Sequence, residues 1–129
     1  MQVVDTNIVL RYILEDHEEL SAQAKKIIDE NIVEVPVEVL CEVVYVLSSI
    51  YKVNHKEISS RLKFFFAETC CELPHRNAVL RGMDIFAERK LGIIDCILTG
   101  YSECENAKVH TFDKALQMIL GKRVIHDEM

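Results

Sequence analysis

The chain has 129 residues, half of them apolar and 28% charged, with four glycines and two prolines; this suits one compact core spanning residues 1–129 and leaves no room for a second domain or a low-complexity linker. No basic stretch followed by a long apolar run opens the sequence, and the apolar segment 8–14 carries Arg11, which argues against a secretory leader or membrane span and makes the cytoplasm the expected location. A formal net charge of −6 argues, on its face, against a nucleic-acid partner.

In chain order, short β-branched runs alternate with amphipathic ones, the pattern of an α/β domain with a mostly parallel sheet. The expected strands cover residues 2–4, 32–35, 70–73, 109–112 and 123–126. After the first strand, Leu20, Ala24, Ile27 and Ile28 mark one helix, and Val39, Val43, Val46, Leu47 and Ile50 mark a second. Asn54 with Glu57 resembles a capping box opening a third helix, whose inner face is Ile58, Leu62, Phe65 and Phe66. Phe64, Phe65 and Phe66 together span a wide arc, so at least one ring is expected to face outward or into a partner. Val79, Leu80, Met83, Phe86 and Ala87 define a fourth helix, and Ile94, Ile97, Leu98 and Tyr101 a fifth. A short sixth, with Leu116, Ile119 and Leu120, is stopped by Gly121.

Four acids stand out against this background. Asp5 and Asp113 close β-type runs, while Glu42 and Asp95 interrupt the apolar stretches 39–44 and 93–98. A buried ionised carboxylate is costly unless it is paired or bound to a metal, so the four are read as a cage for a divalent cation. Of 21 acids, setting those four aside leaves 17 against 15 bases, and two bound divalent ions would cancel the cage. Asp95 near a helix start gains from the macrodipole. If the strand order reverses between the first and fourth strands, Asp5 and Asp113 face each other at the carboxyl end of the sheet. The five cysteines show no C-x-x-C spacing, and the five histidines no i, i+4 pairing, so small core residues in a reducing compartment are expected rather than zinc or disulfides.

The motifs 4–7 (Val-Asp-Thr-Asn), Glu42, 91–95 (Leu-Gly-Ile-Ile-Asp) and 111–113 (Thr-Phe-Asp), with acids 37, 53 and 18 residues apart, resemble those of PIN-domain ribonucleases, and the layout is similar to VapC-type toxins of toxin–antitoxin pairs. The resemblance spans essentially the whole chain. It implies a single PIN-like domain with a five-stranded parallel sheet in the order 3-2-1-4-5 flanked by helices. It also implies Mg2+ or Mn2+ in the cage, hydrolysis of single-stranded RNA, a homodimer, and a small antitoxin that blocks the site.

Hard oxygen ligands select magnesium or manganese over zinc, and a two-metal site needs no side-chain nucleophile. Asp5 is assigned as the bridging ligand, Glu42 and Asp95 as completing one metal shell, and Asp113 as orienting the second ion or the attacking water. Thr6, Asn7 and Thr111 flank these acids with short polar groups suited to hydrogen-bonding ligands or water. Arg11 and Lys114 are the cations expected to meet RNA phosphate. Each acid also has a plainer use: Asp5 and Asp113 as helix caps, Glu42 on a solvated helix edge, Asp95 as an ordinary first-turn acid. A phosphoryl-receiver domain fits poorly, since Asp5 has no acidic neighbour and the third strand ends in Leu73 and Pro74. An aspartate-nucleophile hydrolase fails because position 7 is Asn7. A non-catalytic RNA-binding or scaffold module of the same fold would be expected to lack one or two of the acids, and none is missing.

Overall fold

Helix boundaries follow local capping chemistry throughout. The computed structural model describes residues 1–121 and 124–126, which fall into two compact units, Met1–Pro74 and His75–Met129. In the first, α1 (Thr6–Leu14) opens where the Asp5 carboxylate accepts the Ile8 N–H at 3.1 Å and ends where Glu15 turns left-handed at φ 52°. α2 (Glu18–Glu30) starts at His17, whose Nδ1 accepts the Leu20 N–H at 3.1 Å. α3 (Val37–Ser49) follows Pro36, whose ring fixes φ near −60°. α4 (His55–Glu68) is capped by Asn54, which accepts the Glu57 N–H at 2.9 Å. The Glu57 carboxylate does not reach back as a capping box requires; it pairs with Arg61 at 3.0 Å. Helix α1 was not among the elements expected from the sequence.

The core of this unit is built from the inward stripes: Val9 and Leu10 of α1, Ile28 of α2, Leu40, Val43 and Leu47 of α3, and Ile58, Leu62, Phe65 and Phe66 of α4. Burial of each such side chain contributes about 1.5–3 kcal/mol. Tyr12 meets Phe65 edge-on at 5.2 Å, while Phe64 lies outside the stripe and is 66% exposed.

The expected five-stranded parallel sheet in the order 3-2-1-4-5 is not present among the described residues. Segments 2–4, 32–35 and 70–73 are joined by single parallel bridges, Val3 to Glu34 and Glu34 to Glu72, with bonds such as Glu34 N–H to Gln2 O and Val35 N–H to Glu72 O, both 2.8 Å. Asp5 starts a helix right after the first segment, and Pro36 and Pro74, lacking N–H groups, close the second and third, so pairing there stops at single bridges.

In the second unit, α5 (Arg76–Glu88) and α6 (Ile93–Glu105) pack closely, followed by β1 (Val109–Thr111), α7 (Lys114–Leu120) and β2 (Val124–His126). β1 and β2 form a two-stranded parallel sheet in the register Val109 with Val124, His110 with Ile125 and Thr111 with His126. The fifth expected strand is thus found at Val124–His126, and Arg123 lies outside the described residues. Val109, Leu116 and Leu120 pack together with Leu98. Ile94, expected on the inner face of its helix, is instead 62% exposed. No helix of the described residues is long and apolar enough to cross a membrane.

Two glycines set the approach of α5 to α6. A Cβ at Gly100 would collide with the Ala78 carbonyl, and one at Gly82 would sit 3.0 Å from the Ile97 Cα. Gly100→Ala is therefore expected to cost about 1–3 kcal/mol, the range for overpacking a tight contact. Denaturant unfolding measures this, and an unchanged midpoint would show that the two helices do not pack this closely.

Candidate active site

Asp5 and Glu42 line one open cleft of about 460 Å³, together with Thr6, Asn7, Leu10 and Val39. The Asp5 cap bond uses Oδ1, so the second carboxylate oxygen keeps its lone pairs for another partner. Glu42 stands on the second turn of α3, three residues after Val39 and four before Val46, so these side chains share a helix face. Thr6 and Asn7 are the first two residues of α1, Thr6 half-buried and Asn7 exposed.

Arg11 is placed differently from its expected role on phosphate. Its Nε donates to Asn7 Oδ1 at 3.2 Å and its Nη1 to the Asp16 carboxylate, which the Tyr51 hydroxyl also approaches at 3.5 Å. The hydrogen bond between Arg11 and Asp16 is the main cause of two opposite shifts: the guanidinium is held above its ordinary range and the Asp16 carboxyl below its own. With both arms engaged, Arg11 is a brace that aims the Asn7 amide.

Asp95 is the third residue of α6 and half-buried. Burial, and after it the negative charge of Asp113, push its carboxyl above the ordinary carboxylate range. The helix N-terminus favours the anion, yet desolvation and like charge outweigh it. Asp113 caps α7 by accepting the Leu116 N–H at 3.0 Å, and its own N–H donates to Thr111 Oγ1 at 3.0 Å. Gln117 Nε2 holds the Thr111 carbonyl at 2.8 Å, so Thr111 shapes the turn that presents Asp113. Lys114, the first residue of α7, is exposed, and among the described residues its side chain has no ion-pair partner. Beside Asp95, burial pushes the Cys96 thiol up to about 11, which keeps it protonated and unreactive.

The premise that apolar sequence neighbours bury these acids is corrected by the structure. Asp5, Glu42 and Asp113 are exposed and only Asp95 is half-buried. Helical periodicity turns Glu42 and Asp95 away from inward-facing neighbours such as Val43, Val44, Cys96 and Ile97, while Asp5 and Asp113 stand at helix caps. The donors are hard oxygens of the kind magnesium and manganese prefer. Within the first unit Asp5 and Glu42 line one cleft, and within the second the charge of Asp113 acts on Asp95. Among the described residues no group of three or more His, Cys, Asp or Glu side chains is arranged to hold a metal ion.

A family model described as the PIN domain matches residues 3–119, a span that takes in all four acids. The chain belongs to the PIN domain family. PIN domains are generally nucleases and typically use divalent metals. None of the curated proteins or solved structures compared with this PIN domain matches it.

Sequence reasoning missed the Arg11 brace, the Gln117 support and the exposed ring of Phe112, 68% accessible next to Asp113. Signals existed for two of these. Asn7 and Arg11 are four apart, and alternation from buried Val109 places residue 112 on the outer face.

A carboxyl whose folded pKa is raised contributes stability below its unfolded pKa and loses it as pH rises through the folded value. Asp95→Asn is therefore expected to stabilise the fold at neutral pH, by less than about 1 kcal/mol because solvent screens the pair. The gain should vanish below about pH 4, where the native Asp95 is itself protonated. Thermal unfolding at the two pH values measures it, and a destabilised variant at neutral pH would contradict the shift.

Proposed function

We propose that this PIN domain is a magnesium- or manganese-dependent endoribonuclease that hydrolyses phosphodiester bonds of single-stranded RNA, and that residues 1–129 work as one nuclease domain. Asp5, Glu42, Asp95 and Asp113 are its catalytic and metal-holding residues. The observation that carries the reading is the half-buried Asp95 carboxyl, its ionisation disfavoured by burial and then by the charge of Asp113, inside the span matched by the PIN model. A divalent cation is the natural compensation for such a pair.

A bound divalent ion supplies an acidified water and neutralises charge on the phosphate. The chain's own groups do the rest. Asp5 and Asp113, each with one oxygen fixed by a backbone N–H, present the other in a set direction. Asn7, its Oδ1 held by Arg11, keeps its amide N–H groups for a water or a phosphate oxygen. Thr6 adds a hydroxyl in the same cleft. Lys114 offers a cation next to Asp113.

The same proposal makes the protein the cytoplasmic toxin of a type II toxin–antitoxin pair, homodimeric and blocked by a small antitoxin that presents a cationic side chain to the acids. A housekeeping RNA-processing PIN nuclease is the alternative if no such partner copurifies. A non-catalytic RNA-binding or scaffold module of the same fold is the second reading.

The test uses cleavage of a labelled single-stranded RNA with added Mn2+. Asp5→Asn, Glu42→Gln, Asp95→Asn and Asp113→Asn are each expected to lower the rate at least about 100-fold, above the range for groups that only support ligands. Asn caps helices as well as Asp, so Asp5→Asn and Asp113→Asn should keep the fold and separate chemistry from capping. Undiminished metal-dependent cleavage in Asp5→Asn and Asp95→Asn would sink the nuclease assignment. No calorimetric binding of Mn2+ at millimolar concentration would favour the binding module.

A further inference from the structure

The second unit holds a semi-enclosed cavity of about 280 Å³ that no step above uses, with Arg81, Arg89, Thr99 and Glu103 around an apolar floor that includes Ile85 and Leu120. Arg81 donates through Nε to Glu103 at 3.2 Å, which leaves its two terminal nitrogens as further donors. Among the described residues the Arg89 side chain has no ion pair, so the cavity carries one positive charge in excess of its carboxylate. In a chain of net charge −6 such a surplus stands out. The cavity also has a fixed relation to Asp95. Thr99 lies one turn further along α6, on the same helix face, and its hydroxyl donates to the Asp95 carbonyl at 2.9 Å. At about 1.5 Å of rise per residue, Asp95 and the Thr99 wall are separated by roughly 6 Å along the helix axis.

We propose that this cavity is a backbone subsite for the RNA strand, in which Arg89, with the terminal nitrogens of Arg81, grips a phosphodiester neighbouring the one presented to Asp95 and Asp113. The inference rests on the nuclease reading for its substrate class. Two planar guanidinium groups suit phosphate oxygens, and Ile85 and Leu120 give a ribose or base an apolar surface. The guanidinium groups of Arg81 and Arg89 offset the repulsion that the neighbouring acids exert on a phosphate. Arg89 is thus a substrate-positioning residue, distinct from the acids.

The experiment measures binding of a short fluorescent single-stranded RNA to the full chain in EDTA, where no cleavage occurs, across a salt series. Arg89→Ala is expected to weaken binding about three- to tenfold and to lower the slope of log K against log salt by about 1, as loss of one phosphate contact does. Arg89→Glu is expected to weaken it further. Lys56→Glu, a charge reversal of the exposed Lys56 on α4, controls for net charge and should change affinity by less than about twofold. In the cleavage assay Arg89→Ala should raise KM and leave kcat, which a merely structural defect would not do. Binding by both Arg89 variants equal to the native chain, or an equal loss in Lys56→Glu, would overturn the subsite. So would Arg89-dependent thermal stabilisation by inorganic phosphate without Arg89-dependent RNA binding, since the cavity would then take a free anion. Arg89-dependent binding without any metal-dependent cleavage would leave the subsite standing and remove the nuclease reading.

Discussion

A carboxylate meeting the open N–H groups at a helix start is the interaction on which this arrangement depends. Asp5 opens α1 and Asp113 opens α7, each through a bond of about 3 Å to the third N–H, while Asp95 lies in the first turn of α6. The cap does two things at once. It terminates a short extended run and starts a helix, and it fixes one carboxylate oxygen so that the other points in a defined direction. Capping and metal binding are therefore compatible uses of one side chain.

Charge then decides what such fixed acids can do. Asp95 pays for its place with desolvation and repulsion from Asp113, a cost that favours a cation or a proton. In the first unit Arg11 is engaged by Asn7 and Asp16. Basic groups left available for phosphate are Lys114 beside Asp113 and Arg89 in the cavity one turn beyond Asp95.

Much of the helical architecture was legible because an apolar stripe has the same period wherever it occurs. The stripes through Leu40 and Leu47, through Ile58 and Leu62, and through Val79, Met83 and Phe86 are buried in α3, α4 and α5. The stop at Gly121 also holds, at φ 57°. The sheet was not legible. Three-residue runs read as strands by composition, but Pro36, Pro74 and the Asp5 cap cut them to single bridges, and hydrogen-bond counts of that kind are not written in hydrophobicity. The expected burial of the acids is not what sequence context delivers: Glu42 is exposed because a helix can carry an acid between apolar residues and still turn it to solvent, and Asp113 is exposed at a helix cap. The influence of Asp113 on Asp95 depends on tertiary placement, which no local pattern encodes. The bond from Arg11 to Asp16, in the turn after α1, likewise has no signature in local hydrophobic pattern.

The proposed nuclease activity requires Asp5, Glu42, Asp95 and Asp113 to serve one reaction. A double-mutant cycle on RNA cleavage with Asp5→Asn and Asp95→Asn tests it most directly. Groups that act as a unit are not additive, so the double variant is expected to be no slower than the worse single variant. Losses that multiply, with the double variant slower by the product of the two single effects, would show that the two acids act independently and would contradict the account.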